Sequence, residues 1–214
     1  MGGFFGVAAQ SNCVYDVFFG TDYHSHLGTR RGGLCIYDGK SFKRSIHNIE
    51  AAPFRTKFEK DIPELDGNLG IGCISDMDPQ PILIAAAWGS FALTTVGRIN
   101  NIDELSKMIL QQYHGHFFEL SGGKINATEL VAALIATKND LVTGIRYAQE
   151  LIDGSMSILA LTTDALYAAR DKLGRTPVML GHKEGAYCVS FENFAYFNLG
   201  YQDYDMLGPG EIVK

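Results

Sequence analysis

The feature that most constrains this chain is the shortness of its connections. Runs that read as strands are joined in pairs by turns of a few residues. Asp38-Gly39 lies between residues 33–37 and 40–44 and is the strongest short hairpin signal in the sequence. Thr163-Asp164 separates residues 157–162 from 166–170, and Lys183-Glu184-Gly185 lies between 178–181 and 187–190. Parallel neighbours need a crossover of about a dozen residues or more, so strands joined this tightly pair antiparallel. Further strands are expected at residues 3–9, 69–75, 82–87, 91–95 and 212–213, with Asp78-Pro79-Gln80-Pro81 breaking the chain before the third of these.

Helical periodicity falls between the strands. Residues 14–23 place Val14, Val17 and Phe18 on one face, and 128–136 and 141–152 also read as helices. Asn101 is expected to cap a helix over 102–113, with Glu104 at the capping-box position and Ile102, Leu105 and Ile109 inward. Residues 45–68 are mixed and polar, with Pro53 and Pro63, and are expected to form a long connection or lid. The pattern as a whole predicts an α+β fold with packed antiparallel sheets. A chain of 214 residues with 46% hydrophobic and 20% charged residues fits one domain, residues 1–214, with ample material for a core.

A net charge of -6 sets the protein against nucleic-acid and anionic-membrane partners. Cys13, Cys35, Cys73 and Cys188 form no C-x-x-C pair and have no metal-ligand spacing with histidine. They read as free thiols of a reducing, cytoplasmic compartment. No signal peptide or membrane-spanning run is expected, and no metal or cofactor is implied.

Several blocks, in order, resemble the class II glutamine amidotransferases, and most of all the N-terminal glutaminase domain of amidophosphoribosyltransferase. Met1-Gly2-Gly3-Phe4-Phe5-Gly6-Val7 stands where that family has Met-Cys-Gly-Ile-Phe-Gly-Ile. His26-Leu27-Gly28-Thr29-Arg30-Arg31-Gly32-Gly33 resembles its Gln-His-Arg-Gly segment. Gly70-Ile71-Gly72 and Asp78-Pro79-Gln80-Pro81 resemble its Gly-Ile-Gly-His and Asn-Ala-Gln-Pro blocks. Phe91-Ala92-Leu93-Thr94-Thr95-Val96-Gly97, Asn101-Ile102-Asp103-Glu104-Leu105, Asp153-Gly154-Ser155-Met156-Ser157, the run 168–177 and Pro209-Gly210-Glu211-Ile212-Val213 complete the series. The resemblance implies an N-terminal-nucleophile hydrolase fold: a four-layer αββα sandwich of two antiparallel sheets between helices. It also implies a partner, a C-terminal phosphoribosyltransferase-like domain of the same protein, and a homo-oligomer, in the purine nucleotide biosynthesis family. No acidic phosphoribosyl-diphosphate loop occurs in the chain, which therefore reads as the first domain of a longer protein.

The resemblance also assigns the chemistry, and there the chain departs from its family. The nucleophilic Cys position holds Gly2, which has no side chain to attack with. Val96 stands at the oxyanion Asn, and only the following Gly97 remains. Loss of one such donor removes about 3–4 kcal/mol of transition-state stabilisation. Ser75 stands where the family's Arg pairs with the glutamine carboxylate, and Ala127 stands at the Asp that binds its amine. Arg31 and Gly32 persist. Gly2, Arg31, Gly32, Cys73, Ser75, Val96, Gly97 and Ala127 thus define a residual pocket whose glutaminase chemistry is degenerate, in a domain left with a structural or regulatory role.

Two alternatives stay open on the sequence. Another hydrolase or transferase chemistry uses Cys73 as a relocated thiol or a bound water as its nucleophile, or Cys73 is inert core. Arg30 and Arg31, with His24 and His26, form an anion- or nucleotide-binding cluster, or they are a polar helix end and loop. His114 and His116, flanking Gly115, read as a solvated loop. Arg170-Asp171 reads as structural in preference to a site ion pair. Phe117-Phe118 and the aromatic stretch 191–197 read as core or as an interface with a further domain.

Overall fold

Asp38 and Gly39 close the first hairpin as their chemistry demands. The Asp38 carboxylate accepts from the backbone N–H groups of Lys40 and Ser41 at 2.8 and 2.6 Å, and Gly39 adopts φ 85°. The computed structural model that contains this turn describes every residue except 1, 77, 114–116, 118, 119 and 122. In chain order its elements are β1 (Gly2–Ala9), α1 (Val14–Asp22), β2 (Arg31–Tyr37), β3 (Phe42–Asn48), α2 (Phe54–Phe58), a 3-10 turn (Ile62–Glu64), β4 (Leu69–Ser75), β5 (Ile82–Ala86) and β6 (Gly89–Ile99). There follow α3 (Ile102–Gln112), β7 (Leu120–Ser121), β8 (Lys124–Ile125), α4 (Ala127–Ala136), α5 (Leu141–Leu151), β9 (Gly154–Leu161), β10 (Leu166–Ala169), β11 (Met179–Lys183), β12 (Ala186–Ser190), α6 (Asn193–Phe197), β13 (Gln202–Met206) and β14 (Ile212–Val213).

Two antiparallel sheets form the centre. One has seven strands in the order β13-β11-β12-β1-β4-β2-β3, the other five in the order β14-β10-β9-β6-β5. Strand alternation sends Phe4, Cys35, Ile71 and Cys73 of the first sheet against Ala92, Leu159, Leu161 and Ala168 of the second. The opposite face of the seven-stranded sheet carries Phe5, Val7, Leu34 and Ile36 beneath α1, α2 and α6. The outer face of the five-stranded sheet packs on α3, α4 and α5 through Leu105, Ile109, Leu134 and Ile145. The result is an α+β sandwich of four layers, αββα, as expected.

Two local expectations are corrected. Residues 45–68 are not a loose lid: β3 runs on to Asn48, and Phe54, Phe58 and Ile62 are buried under the seven-stranded sheet. Their apolar residues are too widely and unevenly spaced to show a period. Asn101 does not cap α3 with its side chain. It donates instead to Leu151 O and accepts from Asp153 N, both at 3.0 Å, tying the start of α3 to the start of β9. His114, His116 and Phe118 lie outside the described residues, while Phe117 packs against the helical side of the core.

Candidate functional site

Strand pairing brings together residues far apart in the chain. β4 lies between β1 and β2, and Ser75, its last residue, is paired with Gly2 on one side and Arg31 on the other. The three therefore stand abreast, neighbours about 4.8 Å apart. Each is an even number of residues from a side chain that faces the second sheet, Phe4, Cys73 or Cys35, so all three share that face. Across the gap, Val96 packs on the inter-sheet core and is paired with Ser157, and Gly97 with Met156. Gly97 adopts φ 158°, and a Cβ there would collide with the Ser155 carbonyl.

Residues 76–81 close this end. Asp76 Oδ1 accepts from Thr29 N at 2.8 Å, and Asp78 N donates to Ser75 Oγ at 3.2 Å. Asp78 Oδ2 accepts from Ala127 N at 3.1 Å, at the start of α4. Asn126 caps α4, accepting from Thr128 N and Glu129 N, and donates to Pro79 O at 3.2 Å. Gln80 is the centre of a buried network. Its Oε1 accepts from Thr94 Oγ1, Thr95 N and Thr128 Oγ1 at 2.7, 2.8 and 3.2 Å, and its Nε2 donates to Thr95 O at 3.0 Å. Sequence reasoning missed Asp78, Gln80 and Asn126. A long polar side chain between two prolines was the one signal that could have singled out Gln80.

Position 2 has no room for a side chain. A Cβ built on Gly2 would penetrate the Ile74 carbonyl oxygen and stand 3.3 Å from Ser75 Cα. Ser75 is buried, and the Val96 side chain packs against the inter-sheet core. Ser157 Oγ is buried and makes no hydrogen bond among the described residues.

The other candidates disperse. Cys73 is 1% exposed, with its thiol 3.5 Å from Gln80 O, and burial pushes its pKa up to about 12. It is protonated at neutral pH, which removes the nucleophile a relocated-thiol mechanism needs. The four cysteines are all free and buried. The histidine–arginine cluster does not assemble. His24 is buried, its ring nitrogens meeting Gly20 O and Ser190 Oγ, and burial holds its pKa below the ordinary histidine value. His26 faces Glu192 at 2.8 Å, and Arg30 faces Glu50 at 3.5 Å on the surface. Arg31 stands beside Ser75 through the strand ladder and makes no ion pair to any described residue. Gly32 lies on the opposite face, against Phe54 and Phe58.

Arg170 and Asp171 are structural. Arg170 donates to the carbonyls of Thr176, Leu207 and Gly174 at 2.9, 2.6 and 2.7 Å. Asp171 accepts from Leu173 N and Arg175 N, both at 3.0 Å. Of the aromatic stretch 191–197, Phe191 is buried against Phe4, ring centroids 4.1 Å apart, while Phe194 and Phe197 are exposed. Among the described residues no acidic, His or Cys group is arranged to hold a metal, and no helix is long and apolar enough to cross a membrane.

A family profile described as a glutamine amidotransferase domain matches residues 68–195. The chain belongs to the glutamine amidotransferase family. It is similar to curated amidophosphoribosyltransferases, for example from Methanocaldococcus jannaschii, with 27% identity across 100% of this chain and 47% of the relative. The relative from Methanothermobacter thermautotrophicus is 24% identical over 97% of this chain and 44% of its own length. The chain thus spans about half the length of the curated relatives it matches. Among solved structures, the glutamine phosphoribosylpyrophosphate amidotransferase from B. subtilis, complexed with ADP and GMP, aligns with a TM-score of 0.86 at 22% identity. That alignment covers 98% of this chain and 46% of the other. The structure titled as the allosteric regulatory enzyme of purine biosynthesis aligns with a TM-score of 0.87, also at 22% identity. The fold of this glutamine amidotransferase domain is therefore that of the N-terminal-nucleophile hydrolases.

Proposed function

We propose that residues 1–214 form the glutamine amidotransferase-type domain of an amidophosphoribosyltransferase-like protein, in which the amide-hydrolysing site is degenerate. Its role is structural or regulatory toward a phosphoribosyltransferase-like domain of the same protein, in a homo-oligomer of the cytoplasm. The pathway follows from the relatives, whose names and titles point to purine nucleotide synthesis. The parent protein then takes its nitrogen from free ammonia.

The single observation that carries the loss of hydrolysis is at position 2, which has neither a thiol nor room for one beside the Ile74 carbonyl. Attack on an amide needs an activated nucleophile before any other group matters. Val96, Ser75 and Ala127 extend the argument to the oxyanion, the carboxylate and the amine of glutamine. The decisive measurement is glutamate release from L-glutamine by the purified chain. No turnover above a heat-killed control is expected, and steady release overturns the reading. Gly2→Cys is expected to remain inactive and to destabilise the fold by about 1–3 kcal/mol, because a side chain is forced against backbone. Recovery of glutaminase activity in that variant would show the rest of the site to be intact. Selective alkylation of Cys73 near neutral pH would revive the hydrolase alternative.

A further inference from the structure

The five-stranded sheet has β5 at one edge, with β6 on one side of it and no strand on the other among the described residues. Its sequence is Ile82-Leu83-Ile84-Ala85-Ala86, without a charged or polar side chain, and Ala87-Trp88 continue the apolar run into the turn. Edge strands are ordinarily guarded by charge, because their unpaired N–H and C=O groups invite another strand. The seven-stranded sheet follows that rule. Its edge strand β3 carries Lys43, Arg44 and His47, and its edge strand β13 carries Asp203 and Asp205. On β5 no such guard exists, although Leu83 is 38% exposed and Ala85 is exposed beside it.

The direction of the free backbone groups follows from β6. Thr95 N and O both bond to the side chain of Gln80, which leads into β5, so they point to the β5 side. Backbone groups alternate along a strand, so those of Leu93, Phe91 and Gly89 point the same way. Their register partners Ile82, Ile84 and Ala86 therefore bond inside the sheet. Leu83 and Ala85 are left with N–H and C=O directed outward, along an uncharged edge.

A second copy of the same strand fits this edge. Antiparallel pairing about a two-fold axis at Ile84 sets Leu83 of each copy opposite Ala85 of the other. Each of these two pairs exchanges two backbone hydrogen bonds, using the groups that point outward. The side chains match as well. Leu83 meets Ala85 on one face, Ile82 meets Ala86 on the helical face, large against small, and the two Ile84 side chains meet at the axis. No charges are opposed. The same operation on β13, about Tyr204, would set Asp203 of one copy against Asp205 of the other, and like charges directly opposite destabilise a strand pair. The β5 contact is isologous, so it closes on itself at two copies.

We propose that β5 is a self-pairing edge through which two copies of this chain form a dimer, joining their five-stranded sheets into one continuous sheet. This assigns a surface to the homo-oligomer proposed above, and it holds whether or not the amide-hydrolysing site is degenerate. A strand of five residues is small against the roughly 1,200–2,000 Å² that stable interfaces bury, so the dimer is expected to be reversible.

The test is sedimentation velocity of the 214-residue chain over a range of concentrations, with amide hydrogen exchange followed by NMR at both ends of that range. The expected result is a monomer–dimer equilibrium in which exchange at Leu83 and Ala85 slows as the dimer forms, while Ile82, Ile84 and Ala86 are already protected in the monomer. Leu83→Lys places a charge on the edge and is expected to weaken the dimer by about tenfold or more. Ala85→Pro removes an outward N–H and no bond within the sheet, and is expected to do the same. Asp205→Asn, on β13, is expected to change nothing. Should Ala85→Pro not fold, Leu83→Lys decides. A chain that stays monomeric at millimolar concentration, a dimer unchanged by a folded β5 variant, a dimer strengthened by Asp205→Asn, or assembly that runs on past two copies would each overturn the assignment.

Discussion

Arg31 and Arg170 both stand at strand ends in segments that resemble the same family, but they differ in where their charge is satisfied. Arg170 places its three donating nitrogens on three backbone carbonyls, and its neighbour Asp171 accepts from the turn that follows. Arg31 pairs with Ser75 through the backbone ladder, and its guanidinium has no ion-pair partner among the described residues. The 170–177 turn is therefore held by side chains that fold the protein, whereas on the reading proposed above the Gly2–Ser75–Arg31 end is where substrate-facing groups would stand. Changing a residue of the first kind leaves buried backbone groups unpaired. Changing one of the second kind leaves the fold intact, which is how, on the proposed reading, a domain could lose nucleophile, oxyanion donor and both clamps while its architecture persists.

The largest effect that sharpens this contrast is expected from Arg170→Ala. It leaves three carbonyls without their charged donor and should lower stability by about 3–4 kcal/mol in urea unfolding. A loss under about 1 kcal/mol would break the comparison by removing the structural role. The cysteines provide a test through pH. Burial pushes the Cys73 thiol up to about 12 in the folded chain, from an ordinary value of 9.0. Stability from this group is complete below pH 9 and is lost as pH rises through the folded value, because the unfolded chain releases the proton first. The expected slope is about 1.4 kcal/mol per pH unit for each such thiol between these limits. Cys73→Ala should make the overall slope shallower by about that amount, the other buried thiols keeping theirs, and an unchanged slope would show that the pocket end is wetter than its burial indicates.

Gln80→Ala comes next, at about 2–3 kcal/mol, since Thr94 and Thr128 hydroxyls and Thr95 N lose a shared acceptor. This is the one residue of the pocket end expected to behave like the 170–177 turn, because its partners are internal. The smallest effect is assigned to Arg31→Ala, within about 0.5 kcal/mol of the parent. A larger loss would mean that Arg31 is structural after all and that the two arginines do not differ in kind.

Much of the fold was legible because its signals are local. Asp38-Gly39 and Lys183-Glu184-Gly185 mark hairpins by residues that tolerate positive φ, and Gly39 and Gly185 adopt it at 85° and 73°. Leu105 and Ile109 turn inward as their spacing predicts. The segment 45–68 was misread because Phe54 and Phe58 are anchored by tertiary contact with Gly32, not by a period of their own. Asn101 was misread for a related reason. Its amide found better partners on Leu151 and Asp153, about fifty residues away. The candidate site residues could be named by type, but not their arrangement. Gly2, Arg31 and Ser75 become neighbours only through the β1–β4–β2 pairing, and Asp78 and Gln80 enter only because residues 76–81 fold back on α4.

What the sequence determined by itself is the chemistry that no fold can restore. A glycine at position 2 has no thiol, valine at 96 has no donor, and short polar turns force antiparallel pairing; each of these is a property of the residues themselves. Tertiary structure alone decided whether a thiol at position 2 would fit, whether Cys73 could ionise, and which of two arginines bears on stability. Those questions turn on how closely β4 approaches β1, how much water reaches the gap between the sheets, and which carbonyls lie within reach. Such distances are set by contacts between segments far apart in the chain, and a local pattern carries no record of them.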